Sequence, residues 1–414
     1  MDRVILHSDL NNCFASIECL CDPTLRKYPV AVAGNVRERH GIILAKNELA
    51  KSFGVKTGEA IWQAREKCPR LVTVPPDFEK YMKFAQLARE IYLDYTDRVE
   101  PFGIDEAWLD ISGTQRAEDG GVSVAQEIRR RMKEELGLTV SVGVSWNKIF
   151  AKMGSDLKKP DAVTVITRNN YRKLIWPLPA GDLLFVGRST KKQLSRYGID
   201  TVGKIAGAEV SLLQSLLGKT GVLFSAYARG EDCSPVETFD HSRVIKSISN
   251  STTLPRDLLN EEDVRVVLCM LSDSVSSRLR GHGLMGDTLH IHMRNNALFS
   301  FERQLKLPRC TNLSEDLFSG AVALFRRSYN WAKPLRSIGI GVSGLGPEST
   351  PVQTSFFEDE ARRAKAEAID AAVDSIRGRF GKGAIFRALS ASDPSLIAPS
   401  KSGTNILHPP GFLS

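Results

Sequence analysis

The amino-acid sequence predicts an α+β protein of several domains, and three observations support this fold class. With 414 residues the chain is too long for a single hydrophobic core. Between positions 4 and 166, once residues 21–75 are set aside, the hydrophobic pattern follows the order strand–helix–strand–strand–helix–strand, which is ferredoxin-like. Residues 245–345 repeat this order, and residues 170–230 are rich in short helices. We therefore expect two α+β domains separated by a helical one.

The composition is that of a globular protein with an excess of positive charge. Hydrophobic residues make up 42% of the chain, the net charge is +8 and the pI is about 9.1. This balance favours a polyanionic partner such as nucleic acid, although charge that only maintains solubility would look the same. The seven cysteines form no CxxC pair, so we expect reduced thiols. Because no signal-like segment or apolar run of about 18 residues is present, we expect a cytoplasmic protein without membrane contact.

An acidic pair, Asp105-Glu106, lies between two predicted strands, Val99–Phe102 and Ala107–Ile111. Adjacent carboxylates repel each other unless a cation lies between them. A third carboxylate, Asp9, follows the strand-like run from position 4 to 8. Three oxygen donors on two strand ends suit Mg²⁺, which prefers carboxylates together with substrate phosphates. The alternative is a solvent-exposed acidic hairpin tip.

These carboxylates, on a ferredoxin-like sheet in a basic protein, favour phosphoryl or nucleotidyl transfer assisted by two metal ions. A nucleotide substrate also needs cations for its phosphates, and Lys159 in the segment GSDLKKP is a candidate. A solvated turn at positions 158–160 is equally compatible with this segment alone.

Two further regions have features of a phosphate-binding surface. Glycine-bearing turns such as that at Gly187 and Arg188 can present backbone N–H groups to phosphate, although glycine C-caps of a helical hairpin explain them equally well. The predicted strand at 288–294 places His290, His292 and Arg294 on one face, which could meet a phosphate backbone. A metal site at the two histidines has no nearby carboxylate to support it.

Four ordered motifs together resemble a known family. They are HSDLNNCFASIE from position 7, VEPFGIDEAWLD from 99, SVGVSWNKIFAKMGSDLKKP from 141 and KSISNSTTL from 246. In this order and at these separations they resemble the Y-family DNA polymerases, in the branch of bacterial DNA polymerase IV. The resemblance spans about residues 4–345.

The resemblance implies a domain plan and an active site. The palm would be residues 1–18 and 78–166, the fingers 19–77, the helix–hairpin–helix thumb 167–232, a linker 233–240, the little finger 241–345 and a tail 346–414. Asp9, Asp105, Glu106 and the backbone carbonyl of Leu10 would bind two Mg²⁺ ions. Phe14 would be the steric gate beneath the sugar of the incoming nucleotide, and Lys159 would contact its triphosphate.

The resemblance also implies the partners. Primed template DNA would contact Gly187, Arg188, Lys246, Ser247 and Arg294, and the second substrate would be a dNTP. Residues 353–357 resemble a peptide that binds the sliding clamp, with Gln353, Phe356 and Phe357 as its anchors, although Thr354 and Phe356 replace two leucines. The small fingers predict low-fidelity synthesis past damaged template. The lack of a second acidic set outside the palm predicts that proofreading is absent. We also expect a monomer.

The fingers depart from the family pattern. Where the family has Thr, Tyr and Arg on the triphosphate, this chain has Ala45, Glu48 and Lys51. Lys51 can still supply charge to the nucleotide but not the planar fork of arginine. We expect Glu48 to point away from the phosphates because it would repel them.

Two other functions are compatible with parts of this pattern. A catalytically silent DNA-binding relative would be expected to lack the metal carboxylates, which are present here. A nucleotide cyclase also builds a two-metal site on such a sheet, but it needs neither a basic second sheet nor a clamp-binding peptide.

Overall fold

The computed structural model describes residues 2–36, 39, 41–117, 119–241, 244–350, 360–393 and 396. The chain divides into a first unit, Met1–Ala33 with Ile43–Ser242, and a second unit, Gly34–Ile42 with Arg243–Ser414. Both combine helices with sheets, so the α+β fold class predicted from the sequence is confirmed. Among the described helices, none has the length and apolar character needed to cross a membrane.

The first unit contains nineteen α-helices and β-strands within the described residues. In chain order they are β1 (Ile5–Leu10), α1 (Cys13–Cys21), β2 (Val30–Ala33), β3 (Ile43–Lys46), α2 (Glu48–Ser52), α3 (Ile61–Lys67), β4 (Val72–Val74), α4 (Phe78–Leu93), β5 (Val99–Pro101), β6 (Glu106–Asp110), α5 (Val122–Leu136), β7 (Val140–Ser145), α6 (Lys148–Leu157), β8 (Val163–Val165), α7 (Tyr171–Ile175), α8 (Arg188–Ser195), α9 (Val202–Gly207), α10 (Val210–Leu217) and α11 (Lys219–Arg229).

The central sheet of the first unit has the strand order β5-β6-β1-β7-β8. Its first four strands are in the ferredoxin-like order, and β8 adds a parallel strand beside β7. Helix α4 buries Tyr81, Ala85, Ala88 and Ile91, a helical repeat that the hydrophobic pattern predicts. Glycine at position 143 lets α6 approach β7 closely, because a Cβ there would lie 1.9 Å from the carbonyl oxygen of Ala151. This close packing determines where the side chains of α6 lie.

Two smaller parts complete the first unit. Strands β2, β3 and β4 form a three-stranded sheet in the order β3-β2-β4, with a small core of its own that includes Ile43, Ala50 and Ile61. Helices α7 to α11 enclose a separate core around Phe150, Leu213 and Phe224. The helix-rich composition predicted for residues 170–230 is therefore observed.

The second unit contains a four-stranded antiparallel sheet in the order β11-β10-β12-β9. Its elements are β9 (Ser247–Leu258), α12 (Glu261–Gly281), β10 (Leu284–Asn295), β11 (Ser300–Thr311), α13 (Ser314–Ser328), β12 (Leu335–Pro347), α14 (Glu360–Phe380) and α15 (Ala388–Ala391). The element order matches that of the first sheet, as expected, but the spatial strand order differs. The two regions therefore do not share a sheet topology.

Part of the expected tail is folded. Helix α14 forms ion pairs with α12 and α13, and Leu389 and Leu396 pack against the core of the second unit. The buried residue of α14 is Asp370, so this helix docks through charged side chains and not through an apolar stripe that a hydrophobic pattern could reveal. The proposed clamp-binding residues Gln353, Phe356 and Phe357 lie outside the described residues.

Candidate active site

Strand pairing brings the three predicted carboxylates together at one end of the central sheet. Strands β1 and β6 are antiparallel, and their register places Asp9 opposite Glu106. The backbone N–H of Leu10 donates to the carbonyl oxygen of Asp105 at 2.9 Å, which extends the pairing by one step. The preceding turn contains Gly103 in a left-handed conformation, at φ 101°. The acidic pair and Asp9 are therefore neighbours because of backbone pairing.

Two lysines neutralise part of this acidic cluster. Lys152 Nζ lies 2.8 Å from Glu106, 3.4 Å from Asp9 and 3.2 Å from Asp156. Lys159 Nζ lies 2.7 Å from Asp9 and 2.8 Å from Asp156. Four carboxylates, including Asp105, therefore face two ammonium groups, and the cluster keeps an excess of negative charge.

The pKa values follow from this imbalance. Burial, and then the negative charges of Glu106 and Asp9, raise the pKa of Asp105 to about 7. Burial and the charge of Glu106 also raise the pKa of Asp9, despite its contacts with the two lysines. Burial alone would lower the pKa of Lys152, but the charges of Glu106 and Asp9 outweigh it and raise that pKa. The site favours any additional positive charge.

The donor set fits a hard divalent cation. Within the part of the chain that the structure describes, no three His, Cys, Asp or Glu side chains converge closely enough to hold one ion. Asp9 and Glu106 point toward lysine nitrogens instead. Because carboxylate oxygens are the ligands that Mg²⁺ prefers and the cluster lacks positive charge, the chemistry fits magnesium once these carboxylates leave their lysines.

Three residues around this cluster, His7, Lys152 and Asp156, were not predicted from the sequence. Lys152 and Asp156 are spaced from Lys159 by seven and three positions, which is the repeat of one helical face. That spacing could have identified them. His7 is fully buried, with Nδ1 2.9 Å from Ser155 Oγ and Nε2 3.2 Å from Glu106 Oε2. Burial and the nearby charge of Lys152 keep the pKa of His7 well below its usual value.

A cavity of about 280 Å³ opens above the carboxylates. Phe14 lines it from α1, and its ring stacks on that of Tyr81 with centroids 4.3 Å apart and planes 9° from parallel. The ring of Phe78 contacts Phe14 edge-on. The position of the Phe14 ring is therefore fixed by two aromatic neighbours, one of which is fully buried.

Other lining residues of the cavity come from β3 and from the segment that follows α2. They are Leu44, Ala45, Lys46 and Thr57. Lys51, for which nucleotide binding was predicted, does not line this cavity, and its Nζ lies 3.4 Å from Glu48. Nucleotide binding by Lys51 stays a prediction.

Asn11 and Asn12, the two residues that follow β1, both form side-chain hydrogen bonds. Asn12 Nδ2 donates to Glu48 Oε1 at 2.8 Å; Asn12 lines the cavity and Glu48 does not. The expectation that Glu48 points away from the phosphates stays a prediction. Asn11 Oδ1 accepts from the backbone N–H of Asp161 at 2.8 Å, and Asn11 Nδ2 donates to Ser141 Oγ. Asn11 therefore ties the segment that carries Lys159 to the end of β1.

Comparisons with known proteins identify the family of this chain. The impB/mucB/samB family profile matches residues 8–156, and the profile of its C-terminal domain matches residues 245–356. DNA polymerase IV of Acetivibrio thermocellus is 49% identical over 396 residues, which cover 96% of this chain and 99% of that protein. DNA polymerase IV 1 of Bacillus subtilis is 36% identical over 385 residues, covering 92% and 91%. The chain belongs to the DNA polymerase IV family.

A solved structure shows the same fold as this polymerase IV family member. It is a Y-family DNA polymerase chimera, with a TM-score of 0.73 and 22% sequence identity, and the match covers 82% of this chain and 98% of that one. At this identity the match supports the fold alone.

The predicted DNA-binding residues of this family member are exposed in both units. In the first unit Gly187 and Arg188 begin α8. In the second unit Lys246 precedes β9, Ser247 begins it, and Arg294 lies on β10. On β10, Leu289, Ile291 and Met293 are buried while the alternating His290, His292 and Arg294 are on the other face, as the sequence predicts.

Proposed function

We propose that this protein is a template-directed DNA polymerase of the translesion type, which transfers a nucleotidyl group from a dNTP to a primer 3′-hydroxyl. One observation carries the proposal: β1–β6 pairing gathers Asp9, Asp105 and Glu106 beneath a cavity, with too little positive charge around them. Such a cluster in a polymerase IV relative is explained by binding of metal and nucleotide rather than by stability.

Asp9, Asp105, Glu106 and the backbone carbonyl of Leu10 would hold two Mg²⁺ ions. Metal ions held by these residues would supply Lewis-acid chemistry: they would lower the pKa of the attacking hydroxyl and would stabilise the triphosphate and the leaving pyrophosphate. The lysines are suited to an exchange of partners. Lys159 lies at the cavity, and within the described residues its Nζ is held by the carboxylates of Asp9 and Asp156, so it can transfer from Asp9 to a phosphate when Asp9 turns to a cation.

Phe14 would act as the steric gate. Its ring lines the cavity and cannot move away without breaking the stack with Tyr81, so a ribose 2′-hydroxyl packed against it would clash. Phe14→Ala is expected to raise ribonucleotide incorporation relative to dNTP by about tenfold or more. The matched control is Tyr81→Phe, which keeps the stacked ring and should keep sugar discrimination. Unchanged discrimination in Phe14→Ala would remove this assignment.

The remaining parts would serve the DNA. In this proposal the central sheet is the palm, residues 19–77 are the fingers, α7–α11 form the thumb and the four-stranded sheet is the little finger. Gly187 and Arg188 would contact the DNA backbone from the thumb, and Lys246, Ser247 and Arg294 from the little finger. Gln353, Phe356 and Phe357 would dock on the sliding clamp. We further propose a cytoplasmic monomer that copies damaged template with low fidelity and has no proofreading activity.

Primer extension tests the proposed function. The full chain is incubated with a primed template, Mg²⁺ and all four dNTPs, and template-dependent extension is expected. A silent DNA-binding protein would shift the primed template in a gel without extending it. A nucleotide cyclase would release pyrophosphate from a nucleoside triphosphate without any primer. Either result would contradict the proposal.

A further inference from the structure

Lys46 is a cation on the wall of the cavity whose role the family motif does not supply. It is the last residue of β3, and it lines the cavity that also contains the three carboxylates. Its Nζ donates to Thr57 Oγ1 at 3.1 Å, and Thr57 lines the same cavity. The ammonium group of Lys46 and the hydroxyl of Thr57 therefore belong to the same cavity that Phe14 lines.

Lys46 lacks the carboxylate partners that the other cations nearby have. Within the described residues no carboxylate oxygen lies within 4.0 Å of its Nζ, and Glu48 and Glu59 act on it only at longer range. By contrast, Lys159 is held by Asp9 and Asp156, and Lys51 pairs with Glu48. Burial and the repulsion from Lys51 lower the pKa of Lys46, so an anion beside it would be stabilising.

The backbone that carries Lys46 is well anchored. Lys46 pairs with Ala31 of β2 in the three-stranded sheet. Its neighbour Asn47 accepts hydrogen bonds from the backbone N–H groups of Val30, at 3.0 Å, and Ala50, at 2.9 Å. A lysine placed at the end of such a strand loses less freedom on binding than one on a mobile loop.

We propose that Lys46, assisted by Thr57, binds the triphosphate of the incoming nucleotide in this chain. This inference rests on the proposed polymerase function and names the residues that hold its substrate on the fingers side. Ala45 has no group for a phosphate, Glu48 is engaged by Asn12, and Lys51 does not line the cavity. Lys46 supplies the positive charge that these three positions lack.

The test compares Lys46→Met and Lys46→Arg with Lys67→Met. Lys67 belongs to the same small domain, pairs with Glu59 and does not line the cavity, so it is a matched control. The Kd for a dNTP is measured on protein bound to template with a chain-terminated primer, which prevents turnover. Lys46→Met is expected to weaken dNTP binding by about tenfold or more, the loss of one charge-assisted hydrogen bond. Lys46→Arg should restore most of it, and Lys67→Met should leave it unchanged.

A second measurement separates a phosphate contact from a general disturbance. Inorganic tripolyphosphate is used as a competitor of dNTP, and its inhibition constant should rise in Lys46→Met by a factor similar to that for dNTP. Primer–template affinity should stay the same, which also shows that the variant is folded. If wild-type protein extends primers but Lys46→Met binds dNTP normally, or if Lys51→Met alone weakens binding, the Lys46 assignment is wrong. If wild-type protein does not extend primers, the proposed function fails first.

Discussion

Each unit contains a cluster of buried carboxylates, and the two clusters are neutralised differently. In the second unit Asp370 is 3% exposed and Asp273 is 7% exposed. Asp370 lies 3.0 Å from Arg280 and 2.5 Å from Arg387, and it accepts from the backbone N–H of Ser314 at 2.9 Å. Asp273 lies 2.6 Å from Arg377, and Asp374 lies 2.7 Å from Arg280. Three aspartates therefore meet three arginines.

The first cluster lacks this balance. Its four carboxylates have two lysines, and burial together with the negative charges of Glu106 and Asp9 raises the pKa of Asp105 to about 7. Arginine holds carboxylates with a planar fork, whereas lysine is a point charge on a flexible stem that exchanges partners readily. Under the proposed function, the surplus of acid over lysine makes the first cluster a cation site, whereas the paired arginines of the second cluster stabilise the fold.

The largest expected effect is the loss of primer extension when Asp105 of the first cluster is replaced. Asp105→Asn should reduce primer extension by about 1,000-fold or more, because a ligand of the proposed metal centre is lost. Primer–template affinity should remain within about twofold, since Asp105 is a partly buried residue of the cavity lining rather than a residue of an exposed surface. Asp374→Asn is the matched control from the second cluster and should extend primers normally. Comparable loss in both variants would remove the distinction between the clusters.

The next effect concerns stability. Asp370→Ala leaves Arg280 and Arg387 without one of their carboxylates and the Ser314 N–H without its acceptor, so it should lower the free energy of unfolding by about 3–5 kcal/mol. Urea denaturation measures this change. Arg130→Ala, which breaks the exposed pair with Glu134, should cost less than about 1 kcal/mol. Equal costs would show that the second cluster is not structural.

Removing the charge of Asp105 should stabilise the fold, whereas removing that of Asp370 should destabilise it. In metal-free protein at pH 8, Asp105→Asn should raise the free energy of unfolding by about 1–2 kcal/mol, because it removes a repelled, buried charge. With a folded pKa of about 7, the native state holds the proton of Asp105 over a pH range where the unfolded chain has lost it. Wild-type stability from this group therefore falls as the pH rises from about 4 to 7. The advantage of Asp105→Asn should shrink as the pH is lowered from 8 to 5, and a constant difference would contradict this.

The smallest effect belongs to Asp156. The charges of Lys152 and Lys159 outweigh partial burial and lower the pKa of Asp156, so its ionised form stabilises the fold. This stability is present above the unfolded pKa and is lost as the pH falls through the lower folded pKa. Because the side chain is 50% exposed, Asp156→Asn should cost less than about 1 kcal/mol at pH 8. A stabilising effect at that pH would show that Asp156 belongs with the surplus acids.

The sequence was informative where chemistry depends on strands. Asp9 is the second-last residue of β1 and Glu106 is the first residue of β6, both close to strands predicted from the sequence, and antiparallel pairing of these strands brings the two residues together. Lys152 depends instead on how closely α6 approaches β7, which one glycine at position 143 decides and no periodicity reveals. Lys46 and Lys51 are five residues apart. Of the two, Lys46, the last residue of β3, lines the cavity, and the local sequence does not indicate this. Helix α14 docks through long-range ion pairs, which leave no local pattern.

Thermal unfolding with Mg²⁺ and a dNTP tests the central claim, that the first cluster is a cation site and the second is not. A ligand that binds only the folded state at about 100 times its Kd adds about 2.7 kcal/mol to stability. Wild-type protein and Asp374→Asn should show the same rise in Tm when Mg²⁺ and dATP are added together, and Asp105→Asn should lose most of it. An equal rise in Asp105→Asn, or no rise in wild-type protein, would contradict the account.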